Sequence, residues 1–315
     1  MYGRGSQCKR VSKFIYIKTM KTASSTTVNI LYRYGIKHNL TAPPGPLWIY
    51  PNDNGTRLDI NKYTCSNFTG FDYIANDIRY NRPLMEDVIP NAKYFTILRD
   101  NYTRLESVFN FFNCGREMDK HAIASPFMHY IQHSFNFSKQ AYPACTHQRR
   151  NGMMWTLALD YGYQDNDTAI QLKIDQLDQT LDLVMLAEYY DESLILLKKI
   201  MCWKEDDILY YSINVRRNKL IVKTISPEIK NTIAKYNKAD ILLYQHFNRT
   251  FWEKVESYDG HFDEDLKRFR SRLDNVSKEC SQRKKPTGIS CWQLHAEVPP
   301  LRQLTLEKQL ERWNC

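Results

Sequence analysis

No run of apolar residues in this 315-residue chain approaches the roughly 18 that would span a bilayer, and no apolar signal-peptide core follows Met1. The eight cysteines include no Cys-x-x-Cys pair and no histidine spacing suited to zinc. The chain also contains no internal repeat. These absences argue against a zinc-binding module and a repeat protein, and we predict that no metal takes part in the chemistry.

Glycine-rich phosphate loops are missing as well. The pattern Gly-x-x-x-x-Gly-Lys-Ser/Thr does not occur among the 11 glycines, which makes an ordinary nucleoside triphosphatase a poor match. A kinase would need a triphosphate loop and carboxylate ligands for magnesium, and the sequence offers neither.

Positive charge is in excess, because 44 Lys and Arg residues face 35 Asp and Glu residues and the formal net charge is +9. Such a balance suits an anionic ligand, nucleic acid or an acidic membrane surface, and it does not choose among them. Much of the excess lies in two late runs, at residues 267–272 and 283–285. We interpret these runs as a solvated helix face and a tail, and we predict no nucleic-acid partner.

Asn-x-Ser/Thr sequons are frequent, which indicates passage through the secretory pathway. They begin at Asn39, Asn54, Asn67, Asn101, Asn136, Asn166, Asn248 and Asn275. Since the chain carries no entry signal of its own, we expect a leader or membrane anchor upstream of Met1. Disulfides fit such a compartment, but their pairing cannot be read from the sequence. We expect Cys202, beside Trp203, to be a buried free thiol.

Apolar strand-like segments alternate with helical patterns, which predicts an α/β fold with a central parallel sheet flanked by helices. Strands are predicted at residues 14–18, 71–76, 94–98, 181–186 and 208–215, and helices at 25–37, 101–112, 192–202 and 227–255. We expect an N-terminal remnant or stem over 1–12, the main domain over 13–258, and a charged helical extension and tail over 259–315.

The first strand runs through a short Lys/Thr/Ser loop directly into a helix. The free N–H groups of a helix N-terminus, with lysines and hydroxyls around them, form a site for an anion. The residues that we predict at this site are Lys18, Thr19, Lys21, Thr22, Ala23, Ser24, Ser25 and Thr26. The alternative is a basic loop with an ordinary Ser/Thr helix cap.

A second element, from Tyr94 to Ser107, has an arginine at a strand end and a serine two turns into the next helix. Arg99 offers a planar pair of donors and Ser107 a hydroxyl, so the two can meet on one phosphate. Alternatively, Arg99 pairs with Asp100 or Glu106. Because ligands in open α/β sheets bind at the carboxyl ends of strands, both elements together predict a nucleotide with two phosphate centres.

At this point the chain resembles the galactose-3-O-sulfotransferase family. The matching segments are KTMKTASST (18–26), TILRD (96–100) with Glu106-Ser107, DESLILL (191–197), NVRR (214–217) and HFNRTFW (246–252). The resemblance covers residues 13–257 and implies a P-loop-like sulfotransferase fold. It implies that 3′-phosphoadenylyl sulfate binds with its 5′-phosphosulfate on the first loop and its 3′-phosphate on Arg99 and Ser107.

The resemblance further implies sulfuryl transfer to the 3-hydroxyl of a terminal galactose on a glycolipid, such as galactosylceramide, or on a glycan. It implies a type II membrane protein of the Golgi lumen. Two rival functions remain open, namely a catalytically silent homologue that binds a glycan or nucleotide, and sulfation of another glycan hydroxyl.

Three positions depart from the family pattern, since Met20 and the segment around Asp77 lack the usual histidines and Asn101 replaces a proline. For catalysis we predict Lys21 on the departing phosphate oxygen and Asp77 as the general base. The alternative for Asp77 is a solvated carboxylate or an ion pair with Arg79.

Overall fold

The computed structural model of the protein describes residues 8–43, 67–115, 126–132, 145, 148–211, 226–282, 286 and 288–314. Several predictions lie outside these residues. They concern the sequons at Asn54 and Asn136, the 214–217 motif, the basic run at 283–285, and most of the strand predicted at 208–215.

Four parallel strands form the sheet, in the order β2-β1-β3-β4. The strands are β1 Phe14–Ile17, β2 Tyr73–Ile74, β3 Lys93–Leu98 and β4 Leu183–Leu186. Every residue of β1 is buried, as expected for a parallel strand covered on both faces. The predicted α/β architecture is therefore confirmed.

Helices cover the sheet and continue beyond it. They are α1 Ser24–Lys37, α2 Arg82–Val88, α3 Asn101–Phe111, α4 Pro126–Gln132, α5 Gly152–Thr156, α6 Asp167–Thr180, α7 Tyr190–Met201, α8 Glu205–Ile208, α9 Pro227–Tyr236, α10 Lys238–Glu256, α11 Phe262–Ser281, α12 Cys291–His295 and α13 Val298–Trp313. In the part of the chain covered here, no helix is both long and apolar enough to cross a membrane.

The C-terminal helix α13 packs against α1 and shares its core. Leu301 is fully buried and Trp313 is nearly so, both within the same apolar cluster as β1. The Gln309 side chain accepts a hydrogen bond from the Ala42 N–H at 2.7 Å and donates one to the Ala42 carbonyl at 2.9 Å. The tail predicted after the charged helix thus includes a helix that buries apolar surface.

The strand prediction at 208–215 is wrong where the structure covers it. Residues up to Ile208 form the short helix α8, and 209–211 are irregular. The Lys204 N–H donates to the Asp207 carboxylate at 2.9 Å, which caps the first turn and favours a helix. The alternating pattern of residues 208–215 carried no sign of this local cap.

Cys202 is not a free thiol, because it forms a disulfide with Cys8. Trp203 stacks on Tyr34 with ring centroids 3.8 Å apart, and its indole N–H donates to the Val11 carbonyl at 3.0 Å. These contacts hold the segment before β1 against the end of α7, which brings the two cysteines together. Further disulfides join Cys114 to Cys145 and Cys280 to Cys291.

The basic run at 267–272 lies on α11 and is a solvated helix face, as interpreted from the sequence. Arg268 and Arg270 are about half exposed, at 56% and 48%. Their guanidinium groups pair with acidic side chains of α8 and of the first turn of α7, as Arg270 does with Asp191 at 2.8 Å. The three arginines of this run therefore pair with carboxylates within the fold.

A fully buried ion pair joins α3 to α10 behind the sheet. Arg104 and Asp240 are both 0% exposed, and their side chains lie 3.2 Å apart. The Asp240 carboxylate also accepts the backbone N–H groups of Met153 at 3.2 Å and Met154 at 2.7 Å. Burial lowers the pKa of Arg104 and raises that of Asp240, and their mutual attraction opposes both shifts. Three helices therefore depend on this pair.

Replacing Arg104 with methionine should destabilise the protein by about 3–5 kcal/mol, because the buried Asp240 charge loses its partner. Urea denaturation of the purified protein measures the loss. The control is Arg249→Met, whose exposed pair with Glu253 within α10 should contribute less than about 1 kcal/mol. Equal losses in the two variants would contradict a structural role for the buried pair.

Asn101, the first residue of α3, is only 1% exposed although it begins a sequon. Its side-chain oxygen accepts a hydrogen bond from Arg104 at 3.2 Å, and its amide nitrogen is enclosed without a hydrogen-bond partner. A glycan is attached through that nitrogen and has no room there. By contrast, Asn166 and Asn275 are exposed.

We expect the folded protein, produced in a eukaryotic secretory host, to carry no glycan on Asn101 and to carry glycans on Asn166 and Asn275. The burial of the Asn101 amide is the reason for the difference. Peptide mapping by mass spectrometry after deglycosylation in heavy-oxygen water reads the occupancy of each sequon. A folded fraction with glycosylated Asn101 would refute this burial.

Candidate active site

The carboxyl ends of β1 and β3 lie side by side, and the chain leaves them in opposite directions. From β1 it passes through α1 to the edge strand β2, and from β3 it passes through α3 toward β4. Strand order therefore reverses between β1 and β3, which is where open α/β sheets form a crevice for ligands. Both predicted phosphate-binding elements begin at this crevice.

The first loop has an unusual backbone for residues other than glycine. Lys21 and Ala23 have φ values of 64° and 63°, whereas Thr22 between them does not have a positive φ. Alternation of this kind turns successive N–H groups toward one side and forms a concave anion-binding nest. No side chain caps α1, so the Ser24 and Ser25 N–H groups at its first turn have no intrahelical acceptor.

The threonines of this loop fasten it to the sheet. The buried Thr19 hydroxyl donates to the Ile97 carbonyl of β3 and lies 2.9 Å from the Thr22 hydroxyl. The Thr22 hydroxyl in turn donates to the Thr19 carbonyl at 3.1 Å. These two side chains hold the loop in shape, which leaves its backbone N–H groups and the serines as the donors for a ligand.

Arg99 connects the two predicted elements directly. Its guanidinium donates to the Lys21 carbonyl at 3.1 Å and to the Thr103 hydroxyl at 3.2 Å. Burial lowers the pKa of Arg99, while the nearby carboxylates of Glu188 and Glu106 act in the opposite direction. The side chain is thus fixed at the edge of the first loop, with a planar group that can still receive an anion.

Ser107 lies one turn beyond Thr103 on the same face of α3, because residues four apart in a helix are neighbours. Its side chain is half-buried. The helix begins at a cap in which the Asp100 carboxylate accepts the Thr103 N–H at 3.0 Å. Glu188 accepts the Asp100 N–H at 2.9 Å and so holds this turn from the β4 side.

The Lys21 ammonium group lies over the ring of Phe111, 3.4 Å from its centroid. Phe111 is 57% exposed at the end of α3, so the lysine reaches across the crevice toward the second element. A cation over an exposed ring is stabilised by about 0.5–1 kcal/mol.

Asp77, which follows β2, forms an ion pair with Lys18, which follows β1. Both side chains are partly exposed, at 21% and 19%. The predicted alternative partner Arg79 pairs instead with Asp160. The structure thus joins the predicted base to a residue that we predicted to bind phosphosulfate, and the role of each stays a prediction.

Aromatic side chains lie beside Arg79, which follows Asp77 by two residues in the chain. The guanidinium of Arg79 is 5.0 Å from the ring centroid of Trp155, and its Nε donates to the Trp155 carbonyl at 2.7 Å. The Trp155 ring also stacks with that of Tyr161 at 5.9 Å, while Tyr163 nearby is 59% exposed. Trp155 and Tyr161 thus form a stacked aromatic pair beside Arg79.

A cavity of about 840 Å³ lies elsewhere, at the C-terminal end of α1. Arg33, Lys37 and Trp292 are among the residues that line it. The first α1 residue that lines the cavity, Arg33, lies about 14 Å along the helix from Ser24. It takes no part in the crevice between β1 and β3. In the described part of the chain, no group of His, Cys, Asp and Glu side chains is arranged to hold a metal.

Sequence reasoning named the residues at the crevice but missed those that support them. Thr103 and Glu188 hold the second element, and Phe111 lies under Lys21. An Asp-x-x-Thr spacing from Asp100 to Thr103 could have indicated the helix cap. Glu188 and Phe111 carry no local signal, because their roles arise from contacts between distant segments.

Comparison with known proteins identifies the family of the chain. The family model described as galactose-3-O-sulfotransferase matches residues 3–290. Galactosylceramide sulfotransferase from Homo sapiens is 32% identical over 272 residues, which cover 81% of this chain and 60% of that protein. Galactose-3-O-sulfotransferase 2 from Mus musculus is 29% identical over 302 residues, covering 89% of this chain and 72% of that protein.

Galactose-3-O-sulfotransferase 3 from Bos taurus is 28% identical over 315 residues, covering 95% of this chain and 68% of that protein. The chain therefore spans about 60% of the length of the galactosylceramide sulfotransferases it matches. The resemblance noted from the motifs is confirmed, and the chain belongs to the galactose-3-O-sulfotransferase family.

Proposed function

We propose that the protein transfers a sulfuryl group from 3′-phosphoadenylyl sulfate to the 3-hydroxyl of a terminal galactose. The acceptor is a glycolipid, such as galactosylceramide, or a galactose-terminated glycan. Family membership and the names of the relatives support both the reaction and the acceptor class. The sulfotransferase domain comprises residues 13–258, and residues 259–315 form its C-terminal extension.

One observation carries the proposal, namely the hydrogen bond of 3.1 Å from the Arg99 guanidinium to the Lys21 carbonyl. It places a planar cation at the edge of a loop whose N–H groups can hold another anion. A single nucleotide can reach both positions only if it bears phosphate groups at its two ends. 3′-Phosphoadenylyl sulfate meets this condition, whereas a nucleoside triphosphate carries all its phosphates at one end.

Donor binding in this proposal follows the two elements. The N–H groups and hydroxyls of the first loop hold the 5′-phosphosulfate, and Arg99 and Ser107 hold the 3′-phosphate. The residues assigned to the 5′ end are Lys18, Thr19, Lys21, Thr22, Ala23, Ser24, Ser25 and Thr26. Thr19 and Thr22 contribute through their backbone, since their hydroxyls are engaged within the loop.

Transfer is a one-step displacement in which the galactose O3 attacks sulfur while the bond from sulfur to the bridging phosphate oxygen breaks. Negative charge develops on that leaving oxygen, and the ammonium of Lys21 with the N-terminus of α1 stabilises it. The side chain of Lys21 leaves the Phe111 ring to do so. The sulfuryl group passes directly between the two oxygens.

The proton of the attacking hydroxyl goes to the Asp77 carboxylate, which lies at the carboxyl end of the neighbouring strand β2. Lys18 pairs with this carboxylate, which holds it at the edge of the crevice. This pairing makes Lys18 a bridge between the base and the donor site. When the donor is bound, the Lys18 ammonium thus interacts with two negative groups, the Asp77 carboxylate and the phosphosulfate of the donor.

The disulfides among the described residues fit an oxidising compartment. We propose that the protein belongs to the Golgi lumen as a type II membrane protein. The exposed sequons point to the same compartment.

The test of the function is transfer of radiolabelled sulfate from 3′-phosphoadenylyl sulfate to galactosylceramide and to lactose-type glycans. We expect labelled product with both acceptor classes or with one of them. Acceptors with 3-deoxygalactose should remain unlabelled, because they lack the attacking oxygen. Thermal stabilisation by adenosine 3′,5′-bisphosphate without any transfer would favour the silent binding homologue, and labelling of the 3-deoxy acceptor would indicate another hydroxyl.

Arg99→Met should weaken binding of adenosine 3′,5′-bisphosphate by about 10- to 100-fold, since the charged hydrogen bonds from the guanidinium to the 3′-phosphate are lost. Binding of adenosine 5′-monophosphate, which has no 3′-phosphate, should change little. Isothermal titration calorimetry measures both. The control is Arg82→Met, which removes a cation at the amino end of β3, over the Tyr94 ring. Equal weakening for the two nucleotides would place Arg99 elsewhere than at the 3′-phosphate.

Asp77→Asn should lower kcat by about 100- to 10,000-fold, because the amide cannot accept the proton. Affinity for adenosine 3′,5′-bisphosphate should stay within about twofold, since an amide has nearly the same size and shape as the carboxylate it replaces. Steady-state transfer kinetics and calorimetry measure these two effects. The matched control is Asp160→Asn, which changes the carboxylate paired with Arg79. Full turnover by the Asp77 variant would remove it from the mechanism.

A further inference from the structure

Helix α13 runs antiparallel to β2 and brings its first turns to the carboxyl edge of the sheet. At the far end of the helix, the Trp313 ring packs against Phe68 and Phe71, which precede β2, with centroids 4.9 and 6.3 Å away. Further back along the helix, Thr305 lies beside the Tyr73 phenol within β2. Followed from Trp313 back toward Val298, the helix therefore approaches the residues that come after β2.

Arg302 is one turn closer to that edge. Its guanidinium lies beside the phenol of Tyr32 on α1, whose hydroxyl donates to the Asn76 side chain at 2.7 Å. Burial raises the pKa of this phenol, Arg302 lowers it, and the carboxylate of Asp77 raises it further. Tyr32 thus lies between Arg302 and the proposed base.

The polar atoms of Arg302 are incompletely used. Its Nε is enclosed and has no hydrogen-bond partner, and no carboxylate in the described part of the chain pairs with it. The comparison on the same helix is Arg312, which donates to the Leu40 carbonyl at 3.3 Å and to the Asn39 side chain at 3.4 Å. The Arg302 guanidinium contacts the Tyr32 phenol, which bonds to Asn76, the residue before Asp77. The terminal nitrogens of a guanidinium in this position can donate to oxygen atoms of a ligand.

The donor nucleotide is the less suitable ligand for this group. Its two phosphate sites lie between β1 and β3, whereas Arg302 lies beside β2, on the other side of β1 from Arg99. The acceptor, by contrast, must bring its reacting hydroxyl to Asp77, because the base takes the proton from that hydroxyl. Arg302 is therefore on the acceptor side of the crevice.

We propose that Arg302 binds the hydroxyl oxygens that flank the reacting hydroxyl of the accepting sugar, and so helps to select and orient it. The identity of that sugar as a galactoside rests on the proposed function. A planar guanidinium can donate two parallel hydrogen bonds to adjacent hydroxyls of a pyranose ring, which fixes the ring relative to Asp77. The C-terminal extension thereby supplies a specificity-determining residue to the main domain.

Arg302→Met should raise KM for a galactoside acceptor about 5- to 20-fold, because hydrogen bonds to the sugar are lost. The affinity for adenosine 3′,5′-bisphosphate and the unfolding temperature should stay close to those of the unchanged protein. Arg302→Lys should recover only part of the loss, since an ammonium cannot donate two parallel bonds. The control is Arg312→Met, which replaces the comparison arginine on the same helix and should leave KM unchanged.

A second readout does not require turnover. Saturation-transfer NMR follows the binding of methyl β-galactoside to protein saturated with adenosine 3′,5′-bisphosphate, in the unchanged protein and in the Arg302 and Arg312 variants. Galactoside binding that Arg302→Met abolishes would support the assignment even if no sulfate were transferred, in which case only the proposed function fails. Unchanged binding in that variant, an equal loss in Arg312→Met, or no binding to the unchanged protein would overturn it.

Discussion

Parallel pairing of β1 with β3 is the constraint on which the candidate site depends. The register sets Ile17 opposite Thr96, so both chains leave the sheet at the same level. The Thr96 hydroxyl donates to the Ile17 carbonyl at 2.7 Å, and the Thr19 hydroxyl donates to the Ile97 carbonyl just beyond. A shift of this register would separate the first loop from Arg99 and leave two unrelated basic loops.

The position of the second element, from Tyr94 to Ser107, depends on the buried ion pair between Arg104 and Asp240. Arg99 must be held at the strand end while α3 departs at a fixed angle, and the angle is set where Arg104 meets Asp240 on α10. A charge pair in a dry core is sensitive to geometry, because a displaced partner leaves an unscreened charge. The buried face of α3 is thus held by this pair, while Thr103 on the opposite face contacts Arg99.

Local patterns in the sequence were sufficient for the parts of the fold that local physics decides. The buried strands β1 and β3, the helix that starts near Ser24, and the Arg99 position follow from apolar periodicity and from residue types at strand ends. The Lys18–Asp77 pair, the Cys8–Cys202 bond and the approach of Arg302 to Tyr32 do not. Each joins segments far apart in sequence, and side-chain type alone does not say which charge meets which.

The first loop adopts positive φ values at residues other than glycine. Positive φ values at Lys21 and Ala23 cost of order 1 kcal/mol each for residues with a Cβ atom. The hydroxyls of Thr19 and Thr22 hold the loop against this strain, and the carbonyl of Lys21 gains the Arg99 guanidinium as a partner. Glycine at position 21 would relieve the strain, but it would leave the loop more mobile and would remove the ammonium group from it. Lys21 thus combines a strained backbone, the carbonyl that Arg99 contacts, and the ammonium that we propose for the leaving oxygen.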